Sequence, residues 1–180
     1  MSSESESDAD EVVRLDPWLA LRRSKETREV YIESSGDEVL VVALASGLAS
    51  ADEVLLSREP SAAFGGSTIL LPGGEIEPGE DQKVAANREL QEELGWAASQ
   101  LDFLGEVRPW SKYLNARSYI YLARGLTESR LPGDEQYAIE PVRILLSEVD
   151  ALIRNRTLLD ARVIAGLFLA RAFLDRERGE

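Results

Sequence analysis

The chain has no cysteine and no histidine among its 180 residues. The first absence excludes disulfides, zinc–thiolate sites and thiol catalysis. The second excludes serine–histidine triads and imidazole metal sites. Any acid–base chemistry falls to carboxylates, lysine, tyrosine or water. Positive charge is also scarce: 20 Lys and Arg stand against 33 Asp and Glu, for a net charge of −13. That argues against nucleic acid as a partner, because backbone binding needs clustered cations. It leaves room for a small anionic substrate held by a cation and a few arginines. No apolar run approaches the ~18 residues of a membrane span, so no membrane partner is expected. The opening MSSESESDADE lacks a basic region followed by an apolar one, so it does not read as a secretory signal, and a cytoplasmic location is the default.

What is present describes one α/β domain. Hydrophobic residues make up 44% of the chain, enough for a real core. Residues 1–11 are almost all Ser, Asp and Glu and read as a disordered acidic tail. Residues 12–180 read as a single domain. Within Val12–Lys25, Leu15, Trp18, Leu19 and Leu21 fit a short strand or a helical turn equally well. Glu29–Ser34 alternates as a strand does, and Val39–Ala45 is a continuous apolar run suited to a strand buried on both faces. Further strands are expected at Glu53–Arg58, Thr68–Leu71, Leu101–Val107, Arg117–Ala123 and Val142–Leu146. Loops are expected at Ser46–Asp52, Arg108–Ala116 and Gly125–Glu140. Ser147, with Asp150 three residues on, reads as a capping box, and Thr157 with Asp160 as a second before a helix over Leu158–Arg176. Strands outnumber helices without alternating strictly, which predicts a mixed sheet with helices on its faces.

The stretch Gly74–Trp96, GEIEPGEDQKVAANRELQEELGW, carries the most chemistry. It opens on glycine and runs into a helix predicted over Asp81–Leu94, with Gly95 as its left-handed C-terminal cap. On a helix, Glu89, Glu92 and Glu93 fall within roughly 100° of arc, while Ala86, Leu90 and Leu94 form a separate apolar stripe. Two such charges about 6 Å apart repel by ~3 kcal/mol at an effective dielectric near 20. A hard divalent cation reverses the sign of that energy, and oxygen ligands are what Mg²⁺ selects. A solvated acidic helix face accounts for each glutamate singly. It does not account for Gly74, Glu80, Arg88 and Gly95 together.

Gly74, Glu80, Arg88, Glu89, Leu90, Glu92, Glu93, Gly95 and Trp96 match the Nudix box position by position, and the chain resembles the Nudix hydrolases on that ground. The resemblance implies an α/β/α sandwich with a mixed sheet, and a loop–helix–loop that binds Mg²⁺, with Mn²⁺ able to substitute. It implies metal ligands at Glu89, Glu92 and Glu93 with the Gly73 carbonyl, Glu92 as catalytic, and Glu80 and Arg88 as the pair that orients them. Ala86–Trp96, Ser57–Pro60 and Gly166–Leu174 are similar to the ADP-ribose/ADP-sugar pyrophosphatase branch, although Leu70 stands where that branch usually has glutamate. The branch implies hydrolysis of the diphosphate in ADP-linked compounds (ADP-ribose to AMP and ribose 5-phosphate, with NADH or diadenosine triphosphate as further substrates) by a homodimer with residues 12–37 at its interface. It also implies a base from a late loop, for which Glu135 is the choice and Asp134 and Glu140 are rivals. Arg58, Arg108 and Arg117 are the expected phosphate-binding residues, with Trp110 or Tyr113 able to stack on adenine. The alternatives are a Nudix enzyme acting on nucleoside triphosphates or diadenosine polyphosphates, and a non-enzymatic nucleotide sensor.

Overall fold

The computed structural model describes residues 11–15, 19–45, 52–133 and 137–179. Most of the expected tail, Trp18, the loop residues 46–51 and the expected base Glu135 lie outside them. Glu11, assigned to the tail from sequence, instead opens the first strand.

The strands are β1 (Glu11–Leu15), β2 (Leu19–Arg23), β3 (Val30–Ser34), β4 (Glu38–Leu44), β5 (Glu53–Pro60), β6 (Ser67–Leu70), β7 (Gly73–Glu75), β8 (Trp96–Val107), β9 (Leu114–Asn115), β10 (Ser118–Glu128) and β11 (Glu140–Leu145). The helices are α1 (Gln82–Glu89), α2 (Val149–Arg154) and α3 (Ala161–Arg178). The main sheet runs β11-β5-β4-β10-β8, with β6 on β5 and β7 on β4. It is mixed: β4 lies parallel to β10 and antiparallel to β5 and β7. A second sheet runs β1-β2-β3-β9, which resolves the undecided Val12–Lys25 segment as strand in residues 12–15 and 19–23, with Lys25 in the turn that follows.

β4 shows why the molecule is layered. Side chains alternate faces along a strand. Leu40, Val42 and Leu44 pack with Val163, Leu167, Ala170 and Leu174 of α3. Val39, Val41 and Ala43 pack with Ala85, Ala86, Leu90 and Leu94 of the box. The apolar run buried on both faces is therefore the middle layer of an α/β/α sandwich, as expected.

Local differences from the sequence reading have identifiable causes. The loop expected over Gly125–Glu140 is shorter, because β10 continues to Glu128. β8 starts directly after Gly95 and offers an edge that Leu126, Thr127 and Glu128 pair with, at Ala98, Ala97 and Trp96. The Arg108–Ala116 loop contains β9, which pairs parallel with β3. Ser147 caps no helix: a 3₁₀ turn starts at buried Leu146, and the Glu148 carboxylate accepts from the Leu145 N–H at 3.4 Å. The last helix starts at Ala161 rather than Leu158, and its cap is Asp160 rather than Thr157. The Asp160 side chain accepts from the N–H groups of Arg162 and Val163, while Leu158 is drawn into the core ahead of the helix.

Candidate active site

The box begins on the sheet. Gly73 and Gly74 pair with Leu40 and Val39, which fixes the entry to the helix on a core strand. Asp81 then caps α1, its Oδ1 accepting from Lys83 N at 2.9 Å and Val84 N at 3.4 Å. The helix does not stay α to its end. Leu90–Leu94 form a π-helical turn, closed by Gly95 at φ 76°. The predicted stripe of Ala86, Leu90 and Leu94 is buried, and it anchors the element against Val39, Val41 and Tyr121.

The opposite side gathers the acids around one guanidinium. Arg88 Nε and Nη2 donate to the two oxygens of Glu80, each at 3.0 Å. Arg88 Nη1 donates to Glu89 at 2.6 Å and Glu92 at 3.1 Å, and Nη2 also reaches the Glu75 carbonyl at 3.1 Å. Hydrogen bonding from Arg88 holds Glu80 below its ordinary carboxylate value, against the opposing effect of burial. The reciprocal bond from Glu80 raises Arg88 further above its already high value. Glu80 and Arg88, the pair expected to orient the ligands, are hydrogen-bonded to each other, and Arg88 also reaches Glu89 and Glu92.

Glu93 is set apart from that hub. It is 8% exposed, and its Oε1 accepts from the Gly73 N–H at 3.3 Å. Gly74 is a seat for Glu89: a Cβ there would lie 2.6 Å from Glu89 Oε1. The donors offered by Glu89, Glu92, Glu93 and Gly73 are all oxygen, which suits a hard divalent cation. Glu89 and Glu92 turn toward Arg88 while Glu93 turns toward Gly73, and among the described residues no three acidic side chains form a finished metal cage.

Two cavities meet at Glu93. One of about 300 Å³ is lined by Glu89, Glu92, Glu93, Arg130 and Tyr137. The other, about 190 Å³, is lined by Gly73, Glu93, Glu38, Glu59 and Arg162. A third, about 610 Å³, shares Glu38, Asp160 and Arg162 with the second and extends to Trp110. Trp110 is 57% exposed and meets Tyr113 edge-on at 5.3 Å.

The arginines nominated from sequence are not gathered at the carboxylates. Arg58 lies 3.6 Å from Glu140. Arg108 and Arg117 line a separate cavity of about 370 Å³, Arg108 bonding Glu106 at 2.9 Å and Arg117 bonding Asp37 at 3.2 Å. What sequence reasoning missed are Glu59, Tyr137, Arg162 and Arg130. Ser57 Oγ donates to Glu59 at 2.6 Å, and Tyr137 OH, from the lining of the other cavity, donates to it at 3.1 Å. A period-two reading of the Ser57–Pro60 segment puts Ser57 and Glu59 on one face and Arg58 on the other. Burial opposes the Arg162 charge, but Glu38 and Asp160 outweigh it and raise the group overall.

A family model of the NUDIX domain matches residues 36–166, which takes in both cavities at Glu93 and the whole box. The chain belongs to the Nudix family. Among Nudix relatives, it is 33% identical over 123 residues to the ADP compounds hydrolase NudE of Escherichia coli (strain K12), covering 68% of this chain and 66% of that one. It is 27% identical over 96 residues to the ADP-ribose pyrophosphatase of Bacillus subtilis (strain 168), covering 52% of each. The matches thus span about two thirds of the first relative and about half of the second. A crystal structure of an ADP compounds hydrolase superposes with a TM-score of 0.78 at 27% identity, covering 94% of this chain and 93% of that one. The expected Nudix sandwich is the fold observed.

Proposed function

We propose that this Nudix chain hydrolyses the diphosphate of ADP-linked compounds, with ADP-ribose giving AMP and ribose 5-phosphate. The observation that carries the reading is the Arg88 hub beside buried Glu93, which brings the box carboxylates to the wall of one cleft. Glu89, Glu92, Glu93 and the Gly73 carbonyl would hold Mg²⁺, with Mn²⁺ as substitute. When bound, the cation neutralises diphosphate oxygens and lowers the pKa of a water.

The chain's own residues supply placement and proton transfer. Glu80 fixes Arg88, and Arg88 fixes Glu89 and Glu92. Water adds to one phosphorus as the bridging P–O bond breaks, leaving two phosphate monoesters and one proton for a carboxylate. Glu92 faces the cleft for that role. Glu135 is the other candidate for that proton: it lies outside the described residues, in sequence between Gly133 and Tyr137 of the cleft lining. Trp110 would take the adenine; what supports this is that its cavity shares Glu38, Asp160 and Arg162 with the one that reaches Glu93. Arg58, Arg108 and Arg117 can serve phosphates by exchanging their present carboxylate partners. A homodimer through the N-terminal sheet is part of the same reading, supported by β1 lying at that sheet's edge. No helix among the described residues is long and apolar enough to cross a membrane, and we place the protein in the cytoplasm.

The test is hydrolysis of ADP-ribose, NADH, diadenosine triphosphate and ADP-glucose, each with and without Mg²⁺. Turnover of ADP-linked compounds only with the cation is the expected result. Failure on every ADP-linked compound overturns the assignment.

A further inference from the structure

We infer that Arg130 is a substrate-binding residue whose guanidinium takes a diphosphate oxygen in the carboxylate cleft. The inference rests on the diphosphate hydrolysis proposed above. Among the described residues, Arg130 is the one cation lining the cavity of Glu89, Glu92 and Glu93. A dianionic substrate entering there meets three carboxylates, so a fixed cation beside them lowers the cost of entry.

Arg130 differs from the arginines the sequence nominated. Arg58, Arg108 and Arg117 each have a carboxylate partner at 3.6, 2.9 and 3.2 Å. Arg130 forms no ion pair among the described residues; its side chain donates to the Glu92 carbonyl, Nη1 to oxygen at 3.4 Å. A guanidinium has five N–H donors in a planar fork. One long contact to a carbonyl leaves most of that fork for an anion.

The position is also built from both sides. Ser129 N–H donates to the Gly95 carbonyl at 3.0 Å, and Leu131 N–H donates to the Gln91 carbonyl at 3.3 Å. The two neighbours of Arg130 are therefore fastened to the two ends of the π turn that carries Glu92 and Glu93. Gly95 provides the floor: a Cβ there would come 2.9 Å from Arg130 Nε and Nη2. The glycine that closes the helix by its left-handed φ thus also leaves the space in which the guanidinium lies. The box and the residue that reads its ligand are locked in one frame.

A purely structural Arg130 would serve only to satisfy the Glu92 carbonyl. Glutamine retains a donor for that carbonyl and removes the charge; lysine retains the charge. The measurement is affinity for the non-hydrolysable α,β-methylene analogue of ADP-ribose, with Mg²⁺, alongside steady-state kinetics on ADP-ribose. Arg130→Gln is expected to weaken analogue binding and raise KM by about tenfold, the size of one charge-assisted hydrogen bond, with kcat changed less. Arg130→Lys is expected to recover most of that loss. Unchanged affinity in Arg130→Gln, or Arg130→Lys as weak as Arg130→Gln, overturns the inference. A wild type that neither binds the analogue nor turns over ADP-ribose overturns the function proposed above instead.

Discussion

Arg88 grips Glu80 with two nitrogens on two oxygens, each contact 3.0 Å long. The pair links the loop before α1 to the face that carries Glu89 and Glu92, so the acidic face is held from outside its own helix. Its free energy depends on Glu80 being ionised.

That dependence has a sign. The folded-state value of Glu80 lies below the ordinary 4.5, so its contribution is fully present above about pH 4.5 and is lost as pH falls through the lowered value. Glu80→Gln is expected to cost about 1 kcal/mol at neutral pH. The difference from wild type should shrink on acidification below pH 4.5. Urea unfolding at a series of pH values reads both quantities. A difference that grows toward acid would show that Glu80 does not contribute through its charge.

Glu93 leads to a second expectation. Its carboxylate is buried and accepts from Gly73 N–H, and a glutamine carbonyl can accept the same bond. Glu93→Gln should therefore fold with a Tm within a few degrees of wild type and lose turnover. Wild-type protein should gain about 2–3 kcal/mol, roughly 5–10 °C in Tm, at Mg²⁺ concentrations near 100 Kd, and EDTA should reverse the gain. Differential scanning calorimetry of both proteins tests this directly; an equal Mg²⁺ shift in Glu93→Gln would remove Glu93 from the ligand set.

Asp160 holds the start of α3 by backbone and side chain at once. Its Oδ1 accepts from Arg162 N at 2.8 Å and Val163 N at 3.2 Å, and its Oδ2 lies 3.2 Å from Arg162 Nη2. Asp160→Ala should cost about 1–2 kcal/mol, roughly 2–8 °C in Tm. Asp160→Asn keeps the cap oxygen and should cost less. Equal losses in the two variants, read by thermal melts, would mean that the ion pair with Arg162, which both remove, carries the stability rather than the cap.

The parts of the fold and site that were legible in the sequence are those where one local rule decides the structure. The β4 run shows double burial because both faces need apolar atoms, and the Ala86–Leu90–Leu94 stripe shows helical spacing. The box carries its orienting pair at fixed separations. What was not legible depends on pairing between distant segments. Leu126–Glu128 form a strand only because Trp96–Ala98 present an edge to them. Glu59, in the smaller cavity at Glu93, is joined to Tyr137 of the carboxylate cleft by a hydrogen bond across 78 positions of sequence. Arg130 is set at the cleft by bonds from its neighbours to Gly95 and Gln91, which no local pattern around it announces.

The π turn at Leu90–Leu94 has a consequence for anyone who would move this site elsewhere. The wider turn rotates Glu92 and Glu93 away from where an ideal 3.6-residue repeat would put them relative to Glu89. Copying the box onto a straight α-helix would transplant the letters and misaim two of the three carboxylates. Such a graft would have to bring along Gly95, and the 129–131 segment that holds the carbonyls of Gln91, Glu92 and Gly95, or the inserted turn would have nothing to keep it open.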